Sequence, residues 1–270
     1  AGSRILFLLP IAEAGGGANV VIDEAKAMRK MGVDARIFNL VTYREAFELA
    51  YPDLEIPTVY GTKAALVSLV NDYEAVVATF NPSVEWLRPI DQRQGRPVRG
   101  YYVQDFEPYM YPSDSESFQK AWESYDLFPD LVRFTKTEWT RQEVQRQIGV
   151  DSAVVGSSVN LDLFRPRPRS GPEWPDRPLR VAAMVRPNSP YRAPELTMAL
   201  LQRASREYRL ESLIFGTSLD DPGFAELPRD FRWTLAGVLK RRQVARFLNQ
   251  ADIFLDFSSH QAMGLTAMEA

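Results

Sequence analysis

The sequence predicts an α/β protein built as two domains with parallel sheets. Two patterns carry that expectation. Short β-rich apolar runs alternate with helical stretches of about 10–15 residues, which is the signature of strands joined by crossover helices. The alternation also breaks once, at a proline- and arginine-rich stretch, and then restarts.

The first half runs through RILFLL (4–9), a helical NVVIDEAKAMRKMG (19–32), DARIFNL (34–40), AVVATF (75–80), VRGYYV (98–103), LVRFTKT (131–137) and SAVVG (152–156). Then comes RPRPRSGPEWPDRPL, with five prolines between Pro166 and Pro178. That composition forbids a continuous helix or a central strand. The expected division is therefore a first domain over 1–164, a connector over 165–178 and a second domain over 179–270. In the second half LRVAAMV (179–185), a helix across 193–208, LESLIFG (210–216), FRWTLAG (231–237), a helix across 241–251 and DIFLDF (252–257) repeat the pattern. A further helix has barely begun at Ala270, so the second domain is expected to lack its final helices and to hold its ligand weakly for that reason.

Composition narrows the chemistry. The chain has 270 residues, 45% apolar and 25% charged, with a net charge of -3, which suits a globular protein and offers no global attraction to nucleic acid. Without cysteine there are no disulfides, thiolate nucleophiles or Cys-based zinc sites, and the single His260 rules out a poly-His metal site. The apolar run ILFLLPI is far shorter than the roughly 20 residues that span a bilayer. A cytoplasmic protein is expected.

Four segments hold the candidate site. The turn PIAEAGGGANVV places Gly16 and Gly17 at a helix start, where glycine lets backbone approach a ligand. MVRPNSPYRAPEL puts Arg186 and Arg192 after the first strand of the second domain, where parallel sheets bind ligands. GYYVQDFEPYMYP gathers Gln104, Asp105, Glu107, Tyr109 and Tyr111, carboxylates and aromatic faces of the kind that suit sugars. A purely structural loop is the alternative there. The end of the chain, SSHQAMGLTAMEA, offers Gln261 and then a glycine turn at Gly264, Leu265 and Thr266 opening a helix that ends on Glu269. His260 reads as a polar loop residue, and Lys240 to Arg242 as a charged helix start without a catalytic role.

The ordered set of these segments, together with GSSVNLDLFRPRP (156–168) and WTLAGVLKRRQVARFLNQADIFLDF (233–257), resembles family 4 glycosyltransferases of the GT-B fold. The resemblance implies two Rossmann-like domains facing a cleft and transfer of a sugar from a nucleotide donor to a hydroxyl, with retention and without a cofactor or essential metal. It also implies roles. Gly16 and Gly17 face the donor, as do backbone groups at Gly237, Val238 and Leu239, where the nucleobase would lie. Arg186 and Arg192 would meet the diphosphate; the family has lysine rather than arginine at the second position. Gly264 to Thr266 would cradle phosphate and Glu269 the ribose. Gln261 stands where the family usually carries glutamate, and it would contact the sugar. Asp105 would orient the acceptor, with a leaving phosphate oxygen taking its proton, and Gln104, Glu107 and Tyr109 would touch the acceptor. VQDFEPYMYP is similar to rhamnosyltransferases of bacterial surface-glycan assembly, which points to dTDP-rhamnose, to a glycan or lipid-linked glycan acceptor, and to peripheral attachment at the inner face of the membrane. A non-catalytic glycan- or nucleotide-binding domain and a nucleotide-sugar epimerase remain the alternatives.

Overall fold

The computed structural model describes residues 2–90, 97–169, 171–259 and 261–270, so His260 lies outside the described residues. The chain divides into two compact units, residues 1–158 and 159–270.

The first unit runs β1 (Arg4–Leu8), α1 (Gly16–Lys30), β2 (Asp34–Leu40), α2 (Arg44–Ala50), β3 (Thr58–Gly61), α3 (Lys63–Leu69), β4 (Ala75–Ala78), α4 (Asn81–Val84), β5 (Val98–Val103), α5 (Glu116–Ser124), β6 (Val132–Thr135), α6 (Glu138–Ile148) and β7 (Ala153–Val154). The seven strands form one sheet in the order β3-β2-β1-β4-β5-β6-β7, and every pair is parallel. Strands covered on both faces must be apolar nearly throughout, and β1 and β5 are: Leu6, Phe7, Leu8, Tyr101, Tyr102 and Val103 are almost fully buried. Helix α1 turns Val20, Val21, Ile22 and Ala25 inward. Its chain reverses at Gly32, whose φ of 87° is open to glycine at little cost.

The second unit runs β8 (Leu179–Met184), α7 (Pro194–Glu207), β9 (Leu210–Phe215), α8 (Pro222–Glu226), β10 (Trp233–Leu235), α9 (Arg241–Leu248), β11 (Ile253–Leu255) and α10 (Leu265–Glu269). Its sheet is parallel in the order β10-β9-β8-β11. Alternate residues of β8 and β9 point to opposite faces. Ala182, Leu213 and Phe215 therefore pack with Ala245, Phe247 and Leu248 of α9, while Val181, Ala183 and Ile214 pack with Met198 and Leu201 of α7.

The sheet orders share one property that positions the site. In each sheet the first strand lies between strands reached by chain segments leaving in opposite directions: β1 between β2 and β4, β8 between β9 and β11. Loops leaving the carboxyl ends of β1 and β4, and of β8 and β11, diverge and open a crevice. The short β3, bounded by Pro57 and Gly61, was not expected from the sequence.

The boundary differs from the expected one. Residues 159–164 belong with the second unit, because Phe164 is buried among Ala182, Leu213, Phe215 and Phe247. The proline-rich segment is also fastened to that unit. Asp252, at the start of β11, accepts hydrogen bonds from Arg177 at 2.6 and 2.8 Å, from Arg169 at 2.8 Å and from the Arg180 backbone N–H at 2.9 Å. Its hydrogen bond from Arg177, above all, holds the Asp252 carboxyl well below the usual carboxylate range. Charge-assisted hydrogen bonds of this kind contribute about 1.5–3 kcal/mol. Asp252→Asn is expected to lower stability by about that amount in urea unfolding. A midpoint and slope equal to wild type would show that the prolines alone order the segment.

Candidate functional site

The crevice of the first unit is closed at its base by polar side chains. Thr79, just beyond β4, donates from Oγ1 to the Leu8 carbonyl at 2.6 Å, and Gln104, just beyond β5, donates from Nε2 to the Thr79 carbonyl at 3.0 Å. The ends of β1, β4 and β5 are thereby tied in series. Gln104 also reaches the glycine turn, since a Cβ on Gly17 would lie 3.2 Å from its Oε1. Gly15 and Gly16 have open space where a Cβ would point. Gly15 is extended and no side chain caps α1, so the turn presents backbone to its surroundings. Tyr51 holds the turn from the side: its hydroxyl accepts from Gly15 N at 3.2 Å and donates to Asn19 Oδ1 at 3.2 Å.

Glu107 is placed differently from the acceptor contact expected of it. It is 2% exposed, and Oε2 accepts from the Asn81 backbone N–H at 2.6 Å and from Asn81 Nδ2 at 2.8 Å. The same Asn81 Nδ2 donates to Tyr111 at 3.2 Å. A carboxyl so enclosed is costly to ionise, and burial pushes Glu107 up to about 7 against the pull of Asn81. Tyr109 is exposed, but its hydroxyl donates to Glu143 and accepts from Gln147 Nε2 at 2.9 Å. Glu107, Tyr109 and Tyr111 thus brace this loop against α4 and α6. Asp105 stays partly exposed at the strand end, with Oδ1 accepting from Phe106 N at 2.8 Å.

Lys136, beyond β6, is buried and donates to Glu24 and, at 2.7 Å, to Ser158 Oγ. Nothing in the sequence marks it.

In the second unit the crevice between β8 and β11 is bridged. Arg192 Nη1 donates to Gln261 Oε1 at 2.5 Å, Gln261 Nε2 donates to Asp256 Oδ2 at 2.8 Å, and the Ser259 N–H donates to the Tyr191 carbonyl at 2.8 Å. Gln261 therefore links an arginine and an aspartate, each from one of the two diverging loops. Burial opposes ionisation of Asp256, but hydrogen bonds from Ser258 and Gln261 outweigh it and lower its pKa. Arg186 shares the first loop. Its pKa is lowered, first by desolvation and then by Arg192, so two guanidinium groups repel each other here. Ala193, directly after Arg192, has φ 49°, the one positive φ at a non-glycine among the described residues. A non-glycine held at positive φ costs about 1–3 kcal/mol, and here that residue directly follows Arg192.

Other assigned groups lie at the same edge of this sheet. Gly237 has φ 78° and its carbonyl accepts from Gly216 N at 2.9 Å, Val238 is 77% exposed, and Leu239 packs on the core. Gly264 takes φ 63° ahead of the five-residue α10, and a Cβ there would sit 3.4 Å from Gln261 Nε2. Glu269 is nearly buried and accepts from Arg241 Nη2 at 3.1 Å. Arg241, expected to be mere surface charge, instead holds that carboxylate and lies over Phe164. Asp256 was missed, although a carboxylate ending the strand DIFLDF was its signal; Tyr51 left none.

Among the described residues no group of three or more His, Cys, Asp or Glu could hold a metal ion.

No family model matches the chain, and no curated protein matches it in sequence. Solved structures do match in shape. TarM of S. aureus, bound to fondaparinux, α-GlcNAc-glycerol and UDP, superposes with a TM-score of 0.74 at 8% identity, covering 99% of this chain and 83% of its own. The chain has the GT-B fold. A glycosyltransferase from Rickettsia africae gives 0.66 at 14% identity over 99% and 76% of the two chains. UDP-GlcNAc 2-epimerase of Neisseria meningitidis with UDP-GlcNAc gives 0.56 at 9% identity over 93% and 76%.

The Glu107 carboxyl makes stability depend on pH. Folded, it keeps its proton up to about 7, whereas the unfolded chain releases it near its ordinary 4.5. The folded state binds more protons in that window, so stability falls as pH rises from about 4.5 to 7, by up to about 1.4 kcal/mol per unit. Glu107→Gln should flatten that part of the profile. Unfolding midpoints against pH that slope equally in both proteins would place the titration elsewhere.

Proposed function

We propose that the protein transfers a sugar from a nucleotide donor to a glycan hydroxyl. The observation that carries this is the arginine pair at the β8 and β11 crevice: Arg186 and Arg192 share one loop, and Arg192 is held by Gln261 from the other. Two mutually repelling guanidinium groups at the carboxyl end of a first parallel strand suit a diphosphate, whose charge relieves the repulsion and grows as the sugar departs. The shape shared with UDP-bound glycosyltransferases supports the same reading.

Within it, Gly16 and Gly17 approach the donor, the backbone at Gly237 to Leu239 meets the base, and Gly264 to Thr266 lie near phosphate. Glu269 reaches ribose when Arg241 lets it. Asp105 and Gln104 orient the acceptor; Glu107 and Tyr109 shape the loop that carries Asp105. The donor is dTDP-rhamnose and the configuration is retained, a choice supported by the likeness of 103–112 to rhamnosyltransferases. Transfer needs no cofactor or metal, so turnover is expected to survive EDTA. The acceptor is a growing surface glycan, which places the enzyme at the inner face of a membrane. An epimerase is the second reading, favoured by the N. meningitidis enzyme's shape. Donor turnover with and without acceptor separates the two, since only epimerisation proceeds without one.

Arg186→Ala is expected to weaken nucleoside diphosphate binding by about 1.5–3 kcal/mol, on the order of 10- to 150-fold in titration calorimetry. UDP, GDP and dTDP serve as probes. An unchanged affinity for all three would remove Arg186 from the site.

A further inference from the structure

We propose that the outer face of α9, together with residues 165–167, docks the protein on a membrane carrying anionic lipid headgroups. Arg242, Arg246 and Asn249 fall at i, i+4 and i+7, one stripe along the helix. Asn249 clamps the neighbouring segment onto that stripe: its Nδ2 donates to the Arg165 carbonyl at 3.2 Å and its Oδ1 accepts from the Arg167 N–H at 2.9 Å. The backbone carrying Arg165 and Arg167 is thus held at Asn249, three residues along α9 from Arg246.

All four arginines are exposed, and none makes an ion pair or side-chain hydrogen bond among the described residues. Several exposed arginines elsewhere meet carboxylates, Arg44 with Glu48, Arg88 with Glu85, Arg141 with Asp151 and Arg203 with Glu207, while Arg206, Arg209 and Arg232 do not; what sets these four apart is that Asn249 gathers them on one face. Charge also segregates by unit. Residues 1–158 hold 16 Lys and Arg against 22 Asp and Glu, while residues 159–270 hold 16 against 13. Four unpaired cations on the basic unit are held there against their own repulsion.

The donor does not account for them. Helix α9 runs antiparallel to the strands it connects, so its C-terminal turn and Asn249 lie toward the amino edge of the sheet, near Asp252 at the start of β11. Arg186, Arg192 and Gln261 lie at the carboxyl edge. No aromatic side chain belongs to the stripe on which bases could stack, which disfavours single-stranded nucleic acid. A flat anionic surface asks only for clustered cations, each worth about fivefold in affinity near such a surface. Leu161 and Trp174, large apolar side chains near the stripe in sequence, are exposed, at 73% and 62%, and neither lies between the arginines. Attachment should therefore be electrostatic and reversed by salt. The proposal rests on the reading above, in which the acceptor grows at a membrane.

The test is co-sedimentation of the whole protein with vesicles of phosphatidylcholine alone or with 30% phosphatidylglycerol, at about 50 and 300 mM salt. Binding is expected only to the anionic vesicles and at the lower salt. The variant R165Q/R167Q/R242Q/R246Q should lose about a hundredfold or more, while R88Q/R203Q, which breaks two paired arginines, should bind like wild type. Turnover with a soluble acceptor should be the same in all three proteins, so failure of the docking surface and failure of the transferase reading give different results. Equal vesicle binding by wild type and the quadruple variant would overturn the proposal. So would retention on a duplex or single-stranded oligonucleotide without retention on anionic vesicles.

Discussion

Everything at the candidate site follows from where the chain reverses its direction of travel across each sheet. A parallel sheet whose first strand is central sends successive crossovers to opposite sides, and the loops at β1 and β4, and at β8 and β11, cannot pack on each other as they leave. Backbone polar groups exposed in such a gap need partners. In the first unit Thr79 and Gln104 supply them across the strand ends. In the second, Arg192, Gln261 and Asp256 form a chain over the gap.

That chain gives the amide of Gln261 a place that a carboxylate would fill less well. A carboxylate beside Arg192 would neutralise it, whereas the amide accepts from Arg192 with one end and donates to Asp256 with the other. The negative charge lies one group further back, on Asp256. Gln261 thus leaves the charge of Arg192 unneutralised, and Ala193 takes its positive φ directly after that arginine.

The strands were legible because buried parallel strands are written as apolar runs, as in RILFLL and VRGYYV, and the crossovers between them as helical periods. The positions of Arg186 after a strand and of Gly17 and Gly264 at helix starts could be read because strand ends and glycines are local signals. The misplaced roles all depend on partners distant in sequence. Glu107 looks like a surface carboxylate until Asn81, 26 residues away, is seen beneath it, and Arg241 looks like a solvated helix start until Glu269 is seen beside it. The boundary slipped by a few residues for a similar reason: Phe164 declares its unit only through β8, β9 and α9.

Asp252 gives the proline-rich segment an uncommon topology. Arg169 and Arg177 both end on the one carboxylate, so the residues between them form a loop closed at its base rather than a length of tether. Extra residues inserted between Pro172 and Asp176 would enlarge that closed loop, and doubling its length costs only about 0.6 kcal/mol of closure entropy. Residues added between Phe164 and Arg169 would instead displace the Arg165 carbonyl and the Arg167 N–H from Asn249, which holds both. Evolution or engineering could thus elaborate the middle of the segment freely, hanging a tag or a small module there, while its two ends stay fixed in length.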